Sequence, residues 1–320
     1  MRRLRSLAVE ALELYPFKDY KLKFVNHGEN TTFKVTASQG EFLLRIHRAN
    51  YHSEQAIKEE LKWLKKLKGI SSVNAQTPIK GKSGKLLYFI KSLEVGNRFV
   101  DVLSWESGFM KKGPSPKDFR KVGALTAHLH SNTVSSKHRH YWSSEGLLGK
   151  EATFGSIANL KKDYRTEIAT LTPLKNETLR KIRKYEKRNP DKVSLIHADL
   201  HFRNMVWTKD GVTPIDFDDC GVGLQMYDLA TTLNDCTNLF EKIGDLEVRK
   251  SKEAFIEGYD SVKTLSNEDF AVIPNLNRTR DITMLAWVYD RRDNPKLKSY
   301  LDKNIDYIVR DICSDSGYEI

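Results

Sequence analysis

Residues 197–204 read His-Ala-Asp-Leu-His-Phe-Arg-Asn, and residues 215–219 read Ile-Asp-Phe-Asp-Asp. A phosphoryl-transfer site needs a carboxylate that orients the attacking hydroxyl, together with oxygen ligands that hold a metal ion on the phosphates. Asp199 and Asn204 have the Asp-x-x-x-x-Asn interval of a kinase catalytic loop, and Asp216 follows the next apolar segment. This stretch therefore predicts phosphoryl-transfer chemistry.

A zinc site is a second interpretation of the same stretch. His197, Asp199 and His201 alternate, and such residues can hold zinc. However, no second histidine cluster with ligand spacing accompanies them in the sequence, and a zinc site would leave Asn204 and Asp216 unexplained. Phosphoryl transfer is the favoured interpretation, with His201 as a loop residue near the site.

The chain up to residue 93 has the pattern of a small sheet with helices beside it. A short amphipathic helix is predicted over residues 4–15, and leucines at helical spacing predict another from Ser53 to Gly69. Alternating or apolar segments predict strands at 20–26, 32–36, 41–46 and 85–90. Beyond residue 93 the pattern is mostly helical, with predicted helices at 116–131, 176–188, 227–240, 248–262 and 278–292. We expect one domain at residues 1–93 and a second at residues 94–320.

The motifs resemble those of the aminoglycoside phosphotransferase and choline kinase superfamily, whose signature is His-x-Asp-x-x-x-x-Asn followed by Ile-Asp-Phe-Asp/Glu. Residues 125–130 and 227–230 resemble two further segments of that superfamily, Leu-Ala-x-Leu-His and Tyr-Asp-Leu-Ala. Residues 278–295 look, more loosely, like the C-terminal helix pair of its homoserine kinase-like and bacterial stress-response kinase branch. The resemblance implies an α+β, bilobal protein-kinase-like fold with a small antiparallel-sheet N-lobe and a larger, mostly helical C-lobe.

The resemblance also implies roles for the acidic residues. Asp199 would be the catalytic base, or would position the acceptor hydroxyl. Asn204 and Asp216 would hold Mg²⁺, and Asp218 would be an extra metal ligand. Asp228 and His197 would brace the catalytic loop.

A nucleotide site for ATP is implied in the first domain. Arg45 would contact the phosphates and be braced by Glu60 on the following helix, with Glu59 as the alternative partner. An arginine here replaces the lysine of protein kinases, and the two cations differ in geometry. The other nucleotide-binding residues belong to a phosphate-covering turn and to a hinge for adenine within residues 87–93: Gly28, Asn30, Thr31, Ile90 and Leu93.

The composition of the chain excludes some classes of protein but does not identify a binding partner. The chain has 53 Lys and Arg against 42 Asp and Glu, a net charge of +11, which would suit a nucleic acid, an anionic membrane or a nucleotide. Three scattered cysteines argue against a disulfide framework and a structural zinc site. With no apolar run of spanning length and no export signal, we expect a soluble, cytoplasmic protein.

The favoured function is transfer of the γ-phosphate of ATP to a hydroxyl of a small molecule, such as an amino alcohol, an amino acid or an aminoglycoside-like compound. A Ser/Thr protein kinase of the stress-response type is the first alternative. A nucleotide-binding pseudokinase or a basic nucleic-acid-binding protein is the second. The basic run at residues 180–188 lacks the interleaved aromatic residues of a nucleic-acid stacking surface, so nucleic acid and membrane partners are not expected. Oligomeric state is not readable from the sequence.

Overall fold

The structure, a computed structural model, describes residues 2–150, 152–209, 211–240 and 245–314. It divides into two compact units that are each discontinuous in sequence. The first unit comprises Met1–Met110, Val134–Arg139 and Arg203–Asp218, and the second comprises Lys111–Thr133, His140–Phe202 and Asp219–Ile320.

Helices and strands follow one another along the chain as α1 (Arg2–Leu12), β1 (Lys21–His27), β2 (Thr31–Ala37), β3 (Gly40–Ile46), α2 (Glu54–Lys68), β4 (Leu87–Ile90), β5 (Arg98–Ser104), α3 (Pro116–Ser131), β6 (Tyr141–Trp142), α4 (Ser144–Leu148), α5 (Arg165–Arg188), β7 (Val193–Ile196), β8 (Met205–Thr208), β9 (Gly211–Pro214), β10 (Gly221–Leu224), α6 (Gln225–Phe240), α7 (Asp245–Asp260), α8 (Asn267–Asp290) and α9 (Pro295–Cys313).

The first unit is built on an antiparallel sheet with strand order β1-β2-β3-β5-β4. Its apolar residues alternate along β2, where Phe33 and Val35 are buried beside polar neighbours, as a strand with one covered face requires. Helix α1 supplies Leu7 and Ala11 to the same core. The hairpin of β8 and β9 belongs to this unit as well.

Strand β5 is the main difference from the expected organisation. The sheet does not end at residue 93, because β5 pairs with both β3 and β4. Its sequence, Arg-Phe-Val-Asp-Val-Leu-Ser, places a buried aspartate, Asp101, in the middle of an apolar run. That residue type is rare in strand interiors, so the pattern does not predict a central strand.

Two helices of the second unit begin earlier than their sequence patterns indicate. Helix α5 begins at Arg165 and contains Pro173, and α8 begins at Asn267 and contains Pro274. A proline removes one backbone hydrogen bond and usually ends a helix, so the sequence pattern does not predict that either helix continues through its proline. Within the described ranges, no helix combines the length and the apolar character needed to cross a bilayer.

Helices α3 and α7 of the second unit pack closely at two glycines. A Cβ atom on Gly123 would lie 2.0 Å from the carbonyl oxygen of Phe255, and one on Gly258 would lie 2.0 Å from that of Arg120. Both distances are far below van der Waals contact, so any side chain must push the two helices apart.

We expect Gly123→Ala to lower the free energy of unfolding by about 1–3 kcal/mol, the usual cost of overpacking. Alanine forms helices better than glycine by about 1 kcal/mol. A lower free energy of unfolding in Gly123→Ala can therefore come only from the close contact between the two helices. Urea denaturation measures the change, with Gly113→Ala as the matched control because nothing lies within 4 Å of a Cβ there. A Gly123→Ala variant as stable as the wild type would contradict the close packing.

Candidate active site

The loop that carries Asp199 follows β7 in the second unit and contains a left-handed alanine. Ala198 has a φ of 68°, a conformation that costs a non-glycine residue about 1–2 kcal/mol. The carboxylate of Asp228 offsets this cost, because it accepts the backbone N–H groups of His197 and Ala198 at 2.9 and 2.7 Å. The N–H of Asp199 itself donates to His197 Nδ1 at 3.4 Å. The direction of the Asp199 side chain therefore depends on the Asp228 carboxylate.

Helix α6 holds the remainder of the loop. Thr232 Oγ1 donates to the carbonyl oxygen of Leu200 at 2.7 Å, and the N–H of Phe202 donates to Asp235 Oδ2 at 2.7 Å. Residues 228, 232 and 235 lie four and three positions apart, which places them on one face of α6. One helix face thus fixes both ends of the loop.

Asp228 is positioned in turn by buried groups on two other helices. His130 Nε2 of α3 lies 3.1 Å from Asp228 Oδ2, and its Nδ1 lies 3.0 Å from the Tyr259 hydroxyl of α7. Asp228 and Tyr259 are fully buried, and His130 is 3% exposed. This is the geometry of a brace, the role expected for Asp228.

Each oxygen of the Asp199 carboxylate has a side-chain nitrogen beside it. Arg280 Nη2 of α8 donates to Oδ1 at 2.7 Å, and His201 Nε2 lies 3.2 Å from Oδ2. Burial raises the pKa of Asp199, but His201 and Arg280 outweigh it and hold the pKa far below its ordinary value. Burial would lower the pKa of Arg280, and the neighbouring Tyr227 and Asp199 raise it above its ordinary value. Asp199 is therefore ionised at neutral pH.

Asn204 and Asp216 lie in the first unit, at one end of the β8–β9 hairpin. Met205 pairs with Pro214 in the ladder, and the N–H of Ile215 donates to the carbonyl oxygen of Asn204 at 2.9 Å. Asp216 has a φ of 62°, which turns the chain at this point. The hairpin thus brings Asn204, just before β8, and Asp216, just after β9, to the same end of the ladder. Oxygen atoms of these types are the ligands that Mg²⁺ takes in proteins.

The Arg45 guanidinium of β3 is buried and is held by two carboxylates. Its Nε and Nη2 donate to Asp101 Oδ1 and Oδ2, each at 2.8 Å, and its Nη1 donates to Glu60 Oε1 at 2.6 Å. Burial lowers the pKa of Arg45, but Asp101 and Glu60 raise it well above the ordinary value. Burial raises the pKa of Asp101, yet Arg45 and His47 lower it to about 2. Arg45 is thus a fixed positive charge with a defined orientation.

Glu60, and not Glu59, is the partner of Arg45. Glu59 points to residues 136–138, where its Oε2 accepts the Ser136 hydroxyl at 2.7 Å. The second oxygen of Glu60 lies 3.6 Å from Arg139 Nη1. Arg139 also donates through Nη2 to the backbone carbonyl oxygens of Phe217 and Asp218. Arg139 therefore ties the segment after Asp216 to helix α2.

The expected phosphate-covering residues form the turn between β1 and β2. The N–H of Gly28 donates to the carbonyl oxygen of Asn30 at 3.0 Å, which closes the turn. Thr31 begins β2, and its hydroxyl lies 2.7 Å from His27 Nδ1. Gly28 is exposed, so its backbone lies at the surface of the turn.

Residues 87–93, where the adenine hinge was expected, run within the sheet of the first unit. Ile90 is 5% exposed and packs in the core of the first unit, whereas the Leu93 side chain is fully exposed. The chain at this point turns back from β4 into β5, so it does not leave the sheet. The segment that leaves the sheet is the one after Ser104, where Phe109 and Trp207 exchange backbone hydrogen bonds at 2.9 and 3.1 Å.

Asp218 lies two residues beyond Asp216 but is enclosed, at 5% exposure. Phe217 anchors the segment, since its ring packs edge-on against Trp63 of α2 with the centroids 5.2 Å apart. Ring nitrogens of His47 and His52 lie 3.8 and 3.7 Å from Asp218 Oδ1. Asp216 is exposed, so the two carboxylates have different surroundings.

Sequence reasoning missed Arg280 and Asp101 as partners of predicted site residues. Arg280 falls in the segment 278–295 that resembled a kinase branch, but nothing in the sequence paired it with Asp199. An acid between the apolar residues Val100 and Val102 is the signal that could have indicated a buried ion pair at Asp101.

Comparisons with known proteins find a family and several relatives. Residues 21–265 match the APH family, described as the phosphotransferase enzyme family. The amicoumacin kinase of Bacillus subtilis (strain 168) is 23% identical over 300 residues, which covers 90% of this chain and 85% of that protein. A homoserine kinase of Agrobacterium fabrum is 30% identical over 227 residues, which covers 68% of this chain and 64% of that protein.

Solved structures show the same fold. A microcompartment-associated aminopropanol kinase has a TM-score of 0.79 and 28% identity, covering 98% of this chain and 99% of that one. An amicoumacin kinase in complex with AMP-PNP and Ca²⁺ has a TM-score of 0.80 and 20% identity, covering 96% and 93%. The expected α+β, protein-kinase-like fold is confirmed.

Proposed function

Since the chain belongs to the APH family of phosphotransferase enzymes, we propose that it transfers the γ-phosphate of ATP to a hydroxyl group of a small molecule that also carries an amine. The observation that carries this proposal is the ionised Asp199 carboxylate, fixed on its loop by α6 and by Arg280. A fixed carboxylate can accept the proton of an acceptor hydroxyl and orient its oxygen.

Each residue has one part in the proposed reaction. The acceptor oxygen bonds to the γ-phosphorus while the bond from that phosphorus to the β–γ bridging oxygen breaks, and ADP leaves. Asp199 accepts the hydroxyl proton. Arg45, locked by Asp101 and Glu60, offers its remaining N–H groups to the phosphates of ATP. The turn at Gly28 is assigned to the phosphates of ATP. The segment after Ser104 is assigned to its adenine.

Asn204 and Asp216 are proposed to hold Mg²⁺. Their amide and carboxylate oxygens fit a hard cation, which prefers oxygen ligands and keeps several waters. When bound, the ion neutralises charge on the phosphates. The AMP-PNP and Ca²⁺ named for the amicoumacin kinase structure support a nucleotide with a divalent ion.

The acceptor is proposed to be an amino alcohol or a hydroxylated amino acid, with aminoglycoside-like compounds as the third class. This choice rests on the relatives named for aminopropanol and homoserine, compounds that share an amine and an alcohol.

A transfer assay with γ-labelled radioactive ATP tests the proposal against a panel of acceptors. The panel contains aminopropanol, homoserine, an aminoglycoside, a neutral sugar and a protein with exposed serines. We expect label in one of the amine-bearing alcohols and loss of transfer when EDTA removes divalent metal. Label in the protein alone, or in the sugar alone, would contradict the acceptor class. Absence of any transfer together with absence of ATP binding would contradict the phosphotransferase assignment itself.

A further inference from the structure

The guanidinium of Arg280 on α8 lies beside the Asp199 carboxylate and is only partly used. Its Nη2 donates to Asp199 Oδ1 at 2.7 Å, and the group also bonds to the hydroxyl of Tyr227 on α6. All three residues belong to the second unit. A guanidinium has more N–H donors than these two partners, the ones it has among the described residues, can take up. Arg280 can therefore bind a further acceptor atom.

The remaining N–H groups of Arg280 are accessible. The Arg280 side chain is 17% exposed, and that of Asp199 is 30% exposed. Within the described ranges, none of the Arg280 nitrogens is a buried donor without a partner. The donors that Asp199 and Tyr227 do not take up therefore face solvent, next to the carboxylate assigned to the acceptor hydroxyl.

The packing of α6 against α8 fixes the position of this guanidinium. Tyr227 and Thr279, the residue before Arg280, are buried, at 1% and 0% exposure. Asn234 Nδ2 of α6 donates to Oδ1 of Asp281, the residue after Arg280, at 3.3 Å. Because the group is already oriented, a ligand that binds it loses little free energy in ordering the side chain.

A carboxylate is the group that suits these donors. The planar fork of a guanidinium matches the two oxygens of a carboxylate, and such charge-assisted hydrogen bonds are the strong ones. Arg45 shows in the same chain that one guanidinium can hold two carboxylates, since it bonds to both Asp101 and Glu60. An ammonium group, in contrast, would be repelled by Arg280.

We propose that Arg280 binds a carboxylate of the phosphate acceptor, and that the acceptor is a hydroxylated amino acid. This inference rests on the proposed function, because it selects among the amine-bearing alcohols named there, of which only the amino acids carry a carboxylate. Only a few bonds separate the hydroxyl from the carboxylate in such compounds. Since the paired atoms of Asp199 and Arg280 are 2.7 Å apart, one small molecule can contact both side chains. Arg280 is thus a specificity-determining residue.

Three matched pairs of acceptors test the inference: homoserine with 3-amino-1-propanol, threonine with 1-amino-2-propanol, and serine with ethanolamine. The members of each pair differ in the carboxylate alone. With γ-labelled ATP, we expect the amino acid of at least one pair to react with a kcat/KM about 10–100-fold above that of its partner, the effect of hydrogen bonds to a charged group.

Two outcomes of this assay would overturn the inference. Equal kcat/KM values within the reacting pairs, or a preference for the amino alcohols, would contradict it and leave the phosphotransferase assignment intact. Absence of label in every compound would contradict it as well, and the Kd for AMP-PNP then shows whether the phosphotransferase assignment fails with it.

Arg280→Lys then locates the effect, because lysine keeps the positive charge beside Asp199 but lacks the planar fork. We expect the ratio of the two kcat/KM values within a reacting pair to fall by about 10-fold or more, mainly through the KM of the amino acid. A role confined to orienting Asp199 would slow both compounds by the same factor, so an unchanged ratio would overturn the proposal.

Arg249→Lys is the matched control, since Arg249 is an arginine of the same unit with a 69% exposed side chain. Its ratio should equal that of the wild type. If Arg280→Lys fails to fold by circular dichroism, Arg280→Gln provides the same comparison, and an unchanged ratio in that variant would be equally decisive against the proposal.

Discussion

Asp199→Asn should reduce phosphoryl transfer by about 10²–10⁴-fold, the range over which a positioned base contributes to a rate. Asparagine keeps the size of the side chain but carries no charge, so it can neither accept the hydroxyl proton nor pair with Arg280 as an ion. Because the residues assigned to ATP lie in the first unit, we expect the variant to bind nucleotide as the wild type does.

The measurement has two parts, a single-turnover rate with the acceptor found in the panel and a Kd for AMP-PNP. Asp306→Asn is the matched control, an exposed aspartate on α9 of the same unit. Transfer at the wild-type rate by Asp199→Asn would remove Asp199 from the reaction. If the variant lost both nucleotide binding and phosphoryl transfer, the result would indicate a folding defect instead of a catalytic one.

Asp101→Ala should lower the free energy of unfolding by about 3–5 kcal/mol, the cost of removing one partner from a buried ion pair. The Arg45 guanidinium would lose two hydrogen bonds and His47 one, and both side chains are buried, at 3% and 2% exposure, so water can replace these bonds only in part. Glu41→Gln, which breaks the exposed pair of Glu41 with Lys34, is the control and should cost at most about 1 kcal/mol.

The pH dependence of stability gives this prediction a second readout. The pKa of Asp101 is about 2 in the folded chain, against 3.8 for the free group. Because the pKa of Asp101 is lower in the folded chain, the ionised carboxylate stabilises the fold at pH values above its pKa in the unfolded chain. This contribution of roughly 2 kcal/mol is lost as the pH falls from about 4 to about 2. The difference in unfolding free energy between the wild type and Asp101→Ala should therefore shrink in that window. If the difference in unfolding free energy stayed constant from pH 6 to pH 2, the partners of Asp101 would not lower its pKa.

Much of the candidate site could be predicted because its parts are contiguous. Asp199 and Asn204 lie on one loop, and the apolar segment before Asp216 predicts the strand that leads to it. The resemblance of these motifs to a known superfamily predicted the fold, and the comparisons confirm it. Their individual roles stay predictions, which the variants above are designed to test.

The path of the chain after residue 90 could not be predicted from a local pattern. Residues 87–93 form an apolar strand and a turn, as a hinge would, but the chain returns into β5 and leaves the sheet only after Ser104. Strand β5 itself escaped prediction because Asp101 interrupts its apolar pattern, and that aspartate is tolerated only because Arg45 lies opposite it in the ladder.

The sequence by itself predicted most helices and strands and the loop that carries Asp199, since hydrophobic periodicity and a short motif are local properties of the chain. Only the tertiary structure decided the partners of the charged groups. Arg280 reaches Asp199 from 81 residues away, and Asp101 reaches Arg45 from 56 residues away. Strand register and helix packing set these pairs, because a buried charge must be matched wherever the fold places it, irrespective of distance along the chain.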